Sequence, residues 1–257
     1  MKTVSLLLTL LVLAASALAQ NNQKDGQAEP LSTTACQSTF TSGSGNAYLK
    51  FCVTQNGNVS MIESPQTFSQ IYHGAEGYGL CDTTNNPKVG YNDWGQYGDS
   101  GNWQNSIITQ PNGPDSFPLT ITRTTEDSVF TLKQAFSRST TTPSVKITMT
   151  VKNNSAVARS VYLERFADVD ADGTSGSNTF DADKYASWGH LYYGLMMRAK
   201  SDPHNDAGFV VTGGPQDPCA LTKQQVPYIG DGAAMYDWVY VLGPQSSQTA
   251  VLEYRPL

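Results

Sequence analysis

The strict alternation of residues 144–152 constrains the fold of this chain more than any other feature. Apolar side chains occupy every second position from Val145 to Val151, and lysines and threonines occupy the positions between them. A period of two places all the apolar side chains on one face of a β-strand, which is typical of a sheet that packs one face on a core. No stretch shows a long helical period, so the sequence predicts an all-β protein.

A second strong signal is the hairpin sequence Asn56-Gly57. It lies between the β-rich runs Ala47–Thr54 and Asn58–Glu63, and both turn residues tolerate a positive φ. Further short β-rich runs follow, separated by Gly, Asn and Pro turns: 118–124, 129–136, 159–167, 191–199, 209–212, 238–242 and 249–254. This spacing predicts an antiparallel β-sandwich formed as a single domain.

The N-terminal residues have the pattern of a secretory signal peptide. A lysine precedes the short apolar run Val4–Ala15, and Ala17-Leu18-Ala19 is a small-x-small cleavage site. We predict a signal peptide over 1–19, a flexible polar leader over 20–34 and a β-sandwich domain over 35–257. The protein is therefore expected to be secreted or periplasmic. The apolar run is too short to span a bilayer, so no membrane insertion is predicted.

The chain contains four cysteines, Cys36, Cys52, Cys81 and Cys219. In an exported protein an even number predicts two disulfides, and four cysteines allow three pairings. Proximity in the sequence favours Cys36–Cys52 and Cys81–Cys219. The cysteines include no Cys-x-x-Cys pair, which argues against a redox motif or a zinc site.

The overall charge is acidic. The formal net charge is −6 at pH 7. A negative surface repels phosphate backbones and anionic lipid headgroups, so we predict that neither nucleic acid nor an anionic membrane is a partner.

The segment Asp168–Asp183 holds five aspartates and no basic residue. The segment begins with the pattern Asp168-x-Asp170-x-Asp172-Gly173. Loops with this pattern place three carboxylates around a hard divalent cation. The carbonyl of Thr174 occupies the position of a further oxygen ligand in such a loop. The pattern therefore predicts a calcium site, and a solvated loop without an ion is the alternative.

The acidic segment is not an EF-hand. Thr179 stands where an EF-hand loop has a bidentate glutamate, and the residues before the loop indicate a strand rather than a helix. We therefore predict that Asp181 or Asp183 completes the calcium site.

Arg165 lies just before this segment, on the strand face that Val161, Leu163 and Ala167 share. That face is expected to be buried, and a buried guanidinium needs a partner. The sequence predicts a paired core arginine that supports one of the nearby aspartates.

The segment Tyr91–Trp103 interleaves aromatic residues with Asp, Asn and Gly. In sugar-binding loops flat rings stack on sugar faces and short polar groups bind hydroxyls. We therefore predict that Tyr91, Trp94, Tyr97 and Trp103 bind a ligand, with a glycan as the candidate. The alternative is a loop whose rings cover one end of the sandwich.

Whether the protein is an enzyme stays open at this stage. The histidines are His73, His190 and His204, and Tyr185 is a further candidate base; Glu63, Glu76, Glu164 and Glu253 are candidate carboxylates. None of these residues has the spacing of a known catalytic motif.

Four runs carry a resemblance to known proteins. They are Asn56–Pro65 (NGNVSMIESP), Glu76–Cys81 (EGYGLC), Pro118–Thr124 (PLTITRT) and Arg165–Gly173 (RFADVDADG). These runs resemble those of uncharacterised secreted bacterial β-sandwich proteins. The order of strands is also similar to that of galactose-mutarotase-like domains, which accompany many carbohydrate-active enzymes. The catalytic His and Glu of mutarotases match no positions here, so the resemblance implies a fold and not an activity.

These observations predict an exported β-sandwich module that is stabilised by calcium and binds a glycan. Two other classes remain as alternatives: a carbohydrate-active enzyme of the lyase or glycoside hydrolase type, and a structural envelope protein.

Overall fold

The computed structural model describes residues 35–138, 143–199, 205–211 and 217–257. These residues lie in one compact unit, Ser32–Leu257. The predicted signal peptide and leader lie outside the described residues, and so does His204.

The described residues form 17 strands and three short 3-10 turns. The strands are β1 (Cys36–Ser42), β2 (Leu49–Thr54), β3 (Val59–Glu63), β4 (Glu76–Asp82), β5 (Val89–Asp93), β6 (Ile107–Thr109), β7 (Leu119–Thr124), β8 (Phe130–Arg138), β9 (Val145–Asn153), β10 (Arg159–Asp168), β11 (Asn178–Asp183), β12 (Ala186–His190), β13 (Gly194–Ala199), β14 (Asn205–Val210), β15 (Tyr228–Gly230), β16 (Ala233–Leu242) and β17 (Ser247–Pro256). The 3-10 turns are Gly45–Ala47, Gly95–Tyr97 and Ala171–Gly173.

The strands form three antiparallel sheets. A small sheet has the order β1-β2-β3, a five-stranded sheet the order β14-β16-β10-β4-β5, and a nine-stranded sheet the order β15-β11-β12-β13-β17-β9-β8-β7-β6. The all-β, antiparallel prediction is therefore confirmed. Among the described residues, no helix has the length and apolar character needed to cross a membrane.

The alternation in β9 gives the core its regular packing. The four apolar side chains from Val145 to Val151 are fully buried, and the lysines and threonines between them are partly or wholly exposed. They belong to one hydrophobic core with Leu163 of β10 and Trp238 of β16. Because β9 lies in the nine-stranded sheet and β10 and β16 in the five-stranded one, the core fills the space between two sheets, as the predicted sandwich requires.

Both favoured disulfides are present. Cys36–Cys52 joins β1 to β2, and Cys81–Cys219 joins β4 to a segment 138 residues later in the chain. We call residues 217–225 the cover segment, because Pro218 and Lys223 pack closely over glycines of β4 and β14 in the five-stranded sheet.

The turn of the β2–β3 hairpin is buried rather than exposed. Asn56 and Asn58 are nearly or fully inaccessible to solvent, and Gly57 adopts a φ of +93°. A Cβ on Gly57 would lie 2.3 Å from Nε2 of Gln134, so this position requires glycine for both space and conformation. The predicted Asn-Gly hairpin is thus present, with its tip inside the molecule.

Arg165 satisfies the buried polar groups of that turn. Its Nη2 donates to the Gly57 carbonyl at 3.1 Å, its Nη1 donates to Gln134, and its Nε forms an ion pair with Glu76 of β4. Both charged side chains are fully buried. The prediction of a paired, inward-facing arginine is confirmed.

The predicted aspartate partner for Arg165 was wrong. Arg165 and Asp168 are three residues apart on β10, so their side chains point to opposite faces of the sheet. The inward face brings Arg165 to Glu76, whose carboxylate also accepts the backbone N–H of Val59 and the hydroxyl of Tyr254.

A second buried ion pair lies beside the first. Nη1 of Arg123 contacts Asp93 at 2.9 Å and also donates to the Tyr78 hydroxyl, while Nη2 contacts Asp99 at 2.8 Å. Burial raises the pKa of Asp93 to about 6 even though Arg123 opposes that shift. The amide of Asn56 donates to the same Asp93 carboxylate, so both ion pairs hold the hairpin turn.

We expect Arg165→Met to lower the free energy of unfolding by about 3–5 kcal/mol, because it leaves the Glu76 carboxylate buried without a counter-ion. Urea denaturation measures this loss. Arg138→Met, at the exposed end of β8, is the matched control and should change stability by about 0.5 kcal/mol or less. Equal effects of the two variants would contradict a structural role for the buried pair.

Candidate metal centre

Three aspartates meet where two adjacent inner strands of the five-stranded sheet, β10 and β16, end and begin. Strand β10 ends at Asp168, which pairs with Ala233 at the start of β16. The loop that leaves β10 and the loop that enters β16 therefore emerge side by side. They bring together one carboxylate oxygen from each of Asp168, Asp170 and Asp231, all within 4.8 Å of one another.

The local sequence explains the shape of the acidic loop. Residues Ala171–Gly173 form a 3-10 turn in which Asp172 has a φ of +61° and Gly173 a φ of +73°. Aspartate and glycine are among the residues that tolerate this left-handed region. The Gly173 N–H donates to the Asp170 carbonyl at 2.9 Å, which folds the chain back just after Asp170.

Burial makes the negative charges of this cluster costly. Burial first, and then the nearby Asp170 and Asp231, raise the pKa of Asp168 to about 7, although a hydrogen bond from Tyr97 opposes the shift. The pKa of Asp170 is also raised, first by burial and then by Asp231, and His73 opposes that shift. A bound cation would remove this penalty.

Asp168 has one oxygen with a partner and one without. Oδ2 accepts the Tyr97 hydroxyl at 2.7 Å. Oδ1 is buried and accepts no hydrogen bond within the described part of the chain. Only 2% of Asp168 is exposed, and a buried carboxylate oxygen without a donor or a cation is unfavourable.

The cluster fits a hard divalent cation. Calcium binds oxygen ligands at about 2.3–2.6 Å, so two ligands of one ion lie no more than about 5 Å apart. The 4.8 Å limit of the three carboxylates satisfies this condition. The donor set contains oxygen only, which favours calcium or magnesium over the softer transition metals.

The other predicted ligands of the acidic segment lie elsewhere. Oδ2 of Asp172 accepts the backbone N–H groups of Tyr192 at 2.8 Å and Tyr193 at 3.2 Å. The Thr174 carbonyl accepts the side-chain amide of Asn178. These contacts hold the acidic loop against its neighbours.

Asp181 and Asp183 belong to β11. The Asp181 side chain accepts the N–H of Ala182, and Asp183 accepts the N–H groups of Tyr185 and Ala186, which closes the β11–β12 hairpin. Neither is part of the three-carboxylate group. The third member of that group is Asp231, which the sequence analysis did not predict. The only feature of the neighbouring sequence that marks Asp231 is its position between Gly230 and Gly232.

Of the four predicted ligand-binding aromatics, three are buried. Trp94 packs on Phe166, and Tyr91 and Trp103 pack edge to face on each other. Each of the three is 6% exposed or less, so their ring faces are not available to a ligand. Their burial agrees with the alternative, in which the rings cover the sandwich.

Tyr97 differs from these three residues because it is 41% exposed. Its hydroxyl also contacts Asp168, so it is the one predicted aromatic that lies at the acidic cluster with an accessible side chain. Glycan contact at Tyr97 stays a prediction.

The candidate general bases lie on separate elements. His73 is exposed beside Asp170 in the segment before β4, His190 ends β12, and Tyr185 lies in the β11–β12 turn. Among the candidate glutamates, Glu76 is held in the buried ion pair with Arg165, and Glu164 lies on the outer face of the five-stranded sheet.

Comparison with known proteins gives a likeness in fold alone. No protein-family profile matches the sequence, and no curated protein matches it. A bacterial glucoamylase complexed with acarbose superposes with a TM-score of 0.60 at 9% identity, over 85% of this chain and 32% of the glucoamylase chain. This chain thus spans less than a third of the length of that enzyme.

A second similar structure is a candidate aldose 1-epimerase from Escherichia coli K12. It superposes with a TM-score of 0.52 at 12% identity, over 86% of this chain and 99% of the epimerase chain. The mutarotase-like fold that the sequence suggested therefore agrees with a solved structure, at the level of the fold.

We expect Asp172→Ala to destabilise the protein by about 1–3 kcal/mol, because two backbone N–H groups lose their acceptor. The loss should be the same in calcium and in excess chelator, since Asp172 lies outside the three-carboxylate group. Urea denaturation under both conditions measures it. A loss seen in calcium alone would show instead that Asp172 is a ligand.

Proposed function

We propose that this protein is a calcium-dependent carbohydrate-binding module, and that Asp168, Asp170 and Asp231 hold the ion at the binding site. The convergence of these three carboxylates carries the proposal. The unpartnered Oδ1 of Asp168 supports it independently, because a buried carboxylate oxygen that accepts no hydrogen bond among the described residues has lone pairs free to bind a cation.

The coordination chemistry leaves room for a ligand. Calcium takes six to eight oxygens, and three carboxylates that each supply one oxygen leave at least three positions. Water fills such positions in the absence of a ligand, and neighbouring hydroxyls of a saccharide are suitable replacements. Asp231 is exposed, so the cluster is open to solvent on that side.

Tyr97 supplies the second element of a sugar site. An exposed tyrosine ring beside a polar cluster offers an apolar face for the C–H groups of a pyranose. Its hydroxyl donates to Asp168 and so links the ring to the carboxylates.

The acidic charge of the site and the two solved structures of similar fold both indicate the kind of ligand. The cluster and the chain are both acidic, which disfavours uronates and sulfated sugars and favours neutral glycans. The two neighbouring structures are named for carbohydrate chemistry, which supports a saccharide over other polyhydroxy compounds. The two disulfides fit an oxidising compartment, where such glycans are found.

We expect calcium to raise the thermal midpoint of the wild-type protein relative to EDTA. At a calcium concentration 100 times Kd, binding contributes about 2.7 kcal/mol of stability. Asp231→Asn should abolish the shift, and Asp181→Asn is the matched control that should retain it. An equal shift in both variants would exclude Asp231 as a ligand, and no shift in the wild type would remove calcium from the proposal.

Glycan binding is tested next, on an array of neutral oligosaccharides with calcium and with EDTA. We expect binding in calcium only. Tyr97→Ala should weaken it about tenfold while Tyr97→Phe, which keeps the ring, retains most of it. Binding that ignores both calcium and Tyr97 would place the glycan site elsewhere, and release of new reducing ends from a bound glycan would indicate an enzyme instead.

A further inference from the structure

A row of carboxyl groups crosses the outer face of the five-stranded sheet. Glu164 of β10 lies directly opposite Asp237 of β16, and Asp237 lies opposite Asp206 of β14. Directly opposite residues on antiparallel strands place their side chains next to each other on one face. Like charges in such positions repel, so the row is unfavourable unless a proton or a cation compensates it.

Within the described ranges, one basic side chain forms ion pairs with this row. The ammonium group of Lys223 forms ion pairs with Asp237 and, at 3.3 Å, with Asp206. Asp217, in the same cover segment as Lys223, adds a further negative charge near Glu164. On the other side of Glu164, strand β4 contributes Gly79, which has no side chain.

Glu164 accepts no hydrogen bond from any described residue. It is fully buried, and neither of its carboxylate oxygens has a hydrogen-bond partner among the described residues. Oδ1 of Asp237 is likewise buried without a partner. Burial first, and then Asp237, raise the pKa of Glu164 well above its ordinary value, while Lys223 opposes the shift.

The cover segment lies over the two buried members of this row, Glu164 and Asp237. A Cβ on Gly79 would lie 2.7 Å from Cβ of Pro218, and a Cβ on Gly208 would lie 2.6 Å from Cδ of Lys223, so the segment lies directly on β4 and β14. Backbone hydrogen bonds between Phe209 and Gln224 attach it to the sheet edge.

Two further contacts tether the segment. The Cys81–Cys219 disulfide joins it to β4, and the ammonium group of Lys88 contacts the Cys219 carbonyl. The disulfide would keep the segment attached even if its packing on the sheet were lost.

We propose that residues 217–225 form a pH-controlled cover, which is closed while the Glu164 carboxyl is protonated and leaves the sheet when that carboxyl ionises. Closure excludes water from Glu164 and therefore favours its neutral form. Opening hydrates the carboxylate and separates Lys223 from the row. The proposal concerns a different face from the calcium site and does not depend on it.

The direction of the pH effect follows from proton linkage. The closed state holds its proton on Glu164 more tightly than the open state, in which the side chain reaches water. Opening therefore becomes easier as pH rises from the ordinary range of a glutamic acid, near 4.3, toward the higher value of the closed state. For a single group the change is at most about tenfold per pH unit.

Hydrogen exchange of the full chain in EDTA tests this proposal between pH 5 and 8. Exchange is quenched, the disulfides are reduced, and the protection factor of residues 217–225 is measured at each pH after correction for the pH dependence of the intrinsic exchange rate. We expect the protection factor of the cover segment to fall as pH rises, by up to about tenfold per unit. A constant protection factor in the wild type would overturn the proposal.

Two variants with the same Glu→Gln substitution assign the effect. Glu164→Gln keeps the shape of the neutral side chain and cannot ionise, so its protection should be high and independent of pH. Glu126→Gln, at an exposed turn, should behave like the wild type. A pH slope retained in Glu164→Gln would overturn the assignment.

Lys223→Met provides a further check if Glu164→Gln does not fold. It removes the cation that pairs with Asp237 and Asp206, so protection of the cover segment should fall below that of the wild type throughout this pH range. Protection equal to the wild type would show that the row does not control the cover.

Discussion

The structure depends on the burial of one polar turn between its two large sheets. The tip of the β2–β3 hairpin carries backbone carbonyls into the core, where each requires a donor. Arg165 supplies the donor for Gly57, and the Tyr78 hydroxyl donates to the Asn56 carbonyl at 2.8 Å. Because these donors come from β10 and β4, the turn fixes the small sheet against the five-stranded sheet.

The same network extends to the opposite sheet. Arg165 also donates to Gln134 of β8, and its partner Glu76 accepts the hydroxyl of Tyr254 on β17. The two large sheets are therefore joined by directional contacts as well as by apolar packing. Hydrophobic packing tolerates small displacements, whereas a fully satisfied buried network accepts one arrangement.

Strand β10 connects the parts of the molecule that carry charge. Its inward face contributes Arg165 to the buried network, its outward face contributes Glu164 beneath the cover segment, and its end contributes Asp168 to the three-carboxylate cluster. The alternation of a β-strand explains how neighbouring residues serve different sites. Trp94 and Tyr97 both pack on Phe166, on the outward face between Glu164 and Asp168.

The sequence was sufficient to predict those structural features that depend on residues close together in the chain. The alternation around Met149 predicted a half-buried strand, and Asn56-Gly57 predicted a hairpin; both depend on local conformation, and both are present. Asp168 and Asp170 were found because they are close together in the chain. Asp231 was missed because it reaches the cluster only through the pairing of β10 with β16, and no local pattern encodes that pairing.

Composition was a poorer guide to exposure. The aromatic residues of Tyr91–Trp103 suggested a binding loop, yet Trp94 packs on Phe166 and Trp103 packs on Tyr78. Amino-acid composition does not distinguish aromatic rings that are buried against a sheet from exposed rings that bind a ligand, since both kinds occur among Gly, Asn and Asp. The exposed fraction of Tyr97 is set by the tertiary structure alone.

The buried hairpin turn also restricts where this protein can be produced. Asn58-Val59-Ser60 is an acceptor sequence for N-linked glycans, and the Asn58 side chain is fully buried, with its amide donating to the carbonyls of Glu76 and Asp93. A glycan attached to that nitrogen during synthesis could not enter the core. In a eukaryotic secretory host, oligosaccharide transfer would compete with folding, whereas a bacterial periplasm forms the disulfides without that competition.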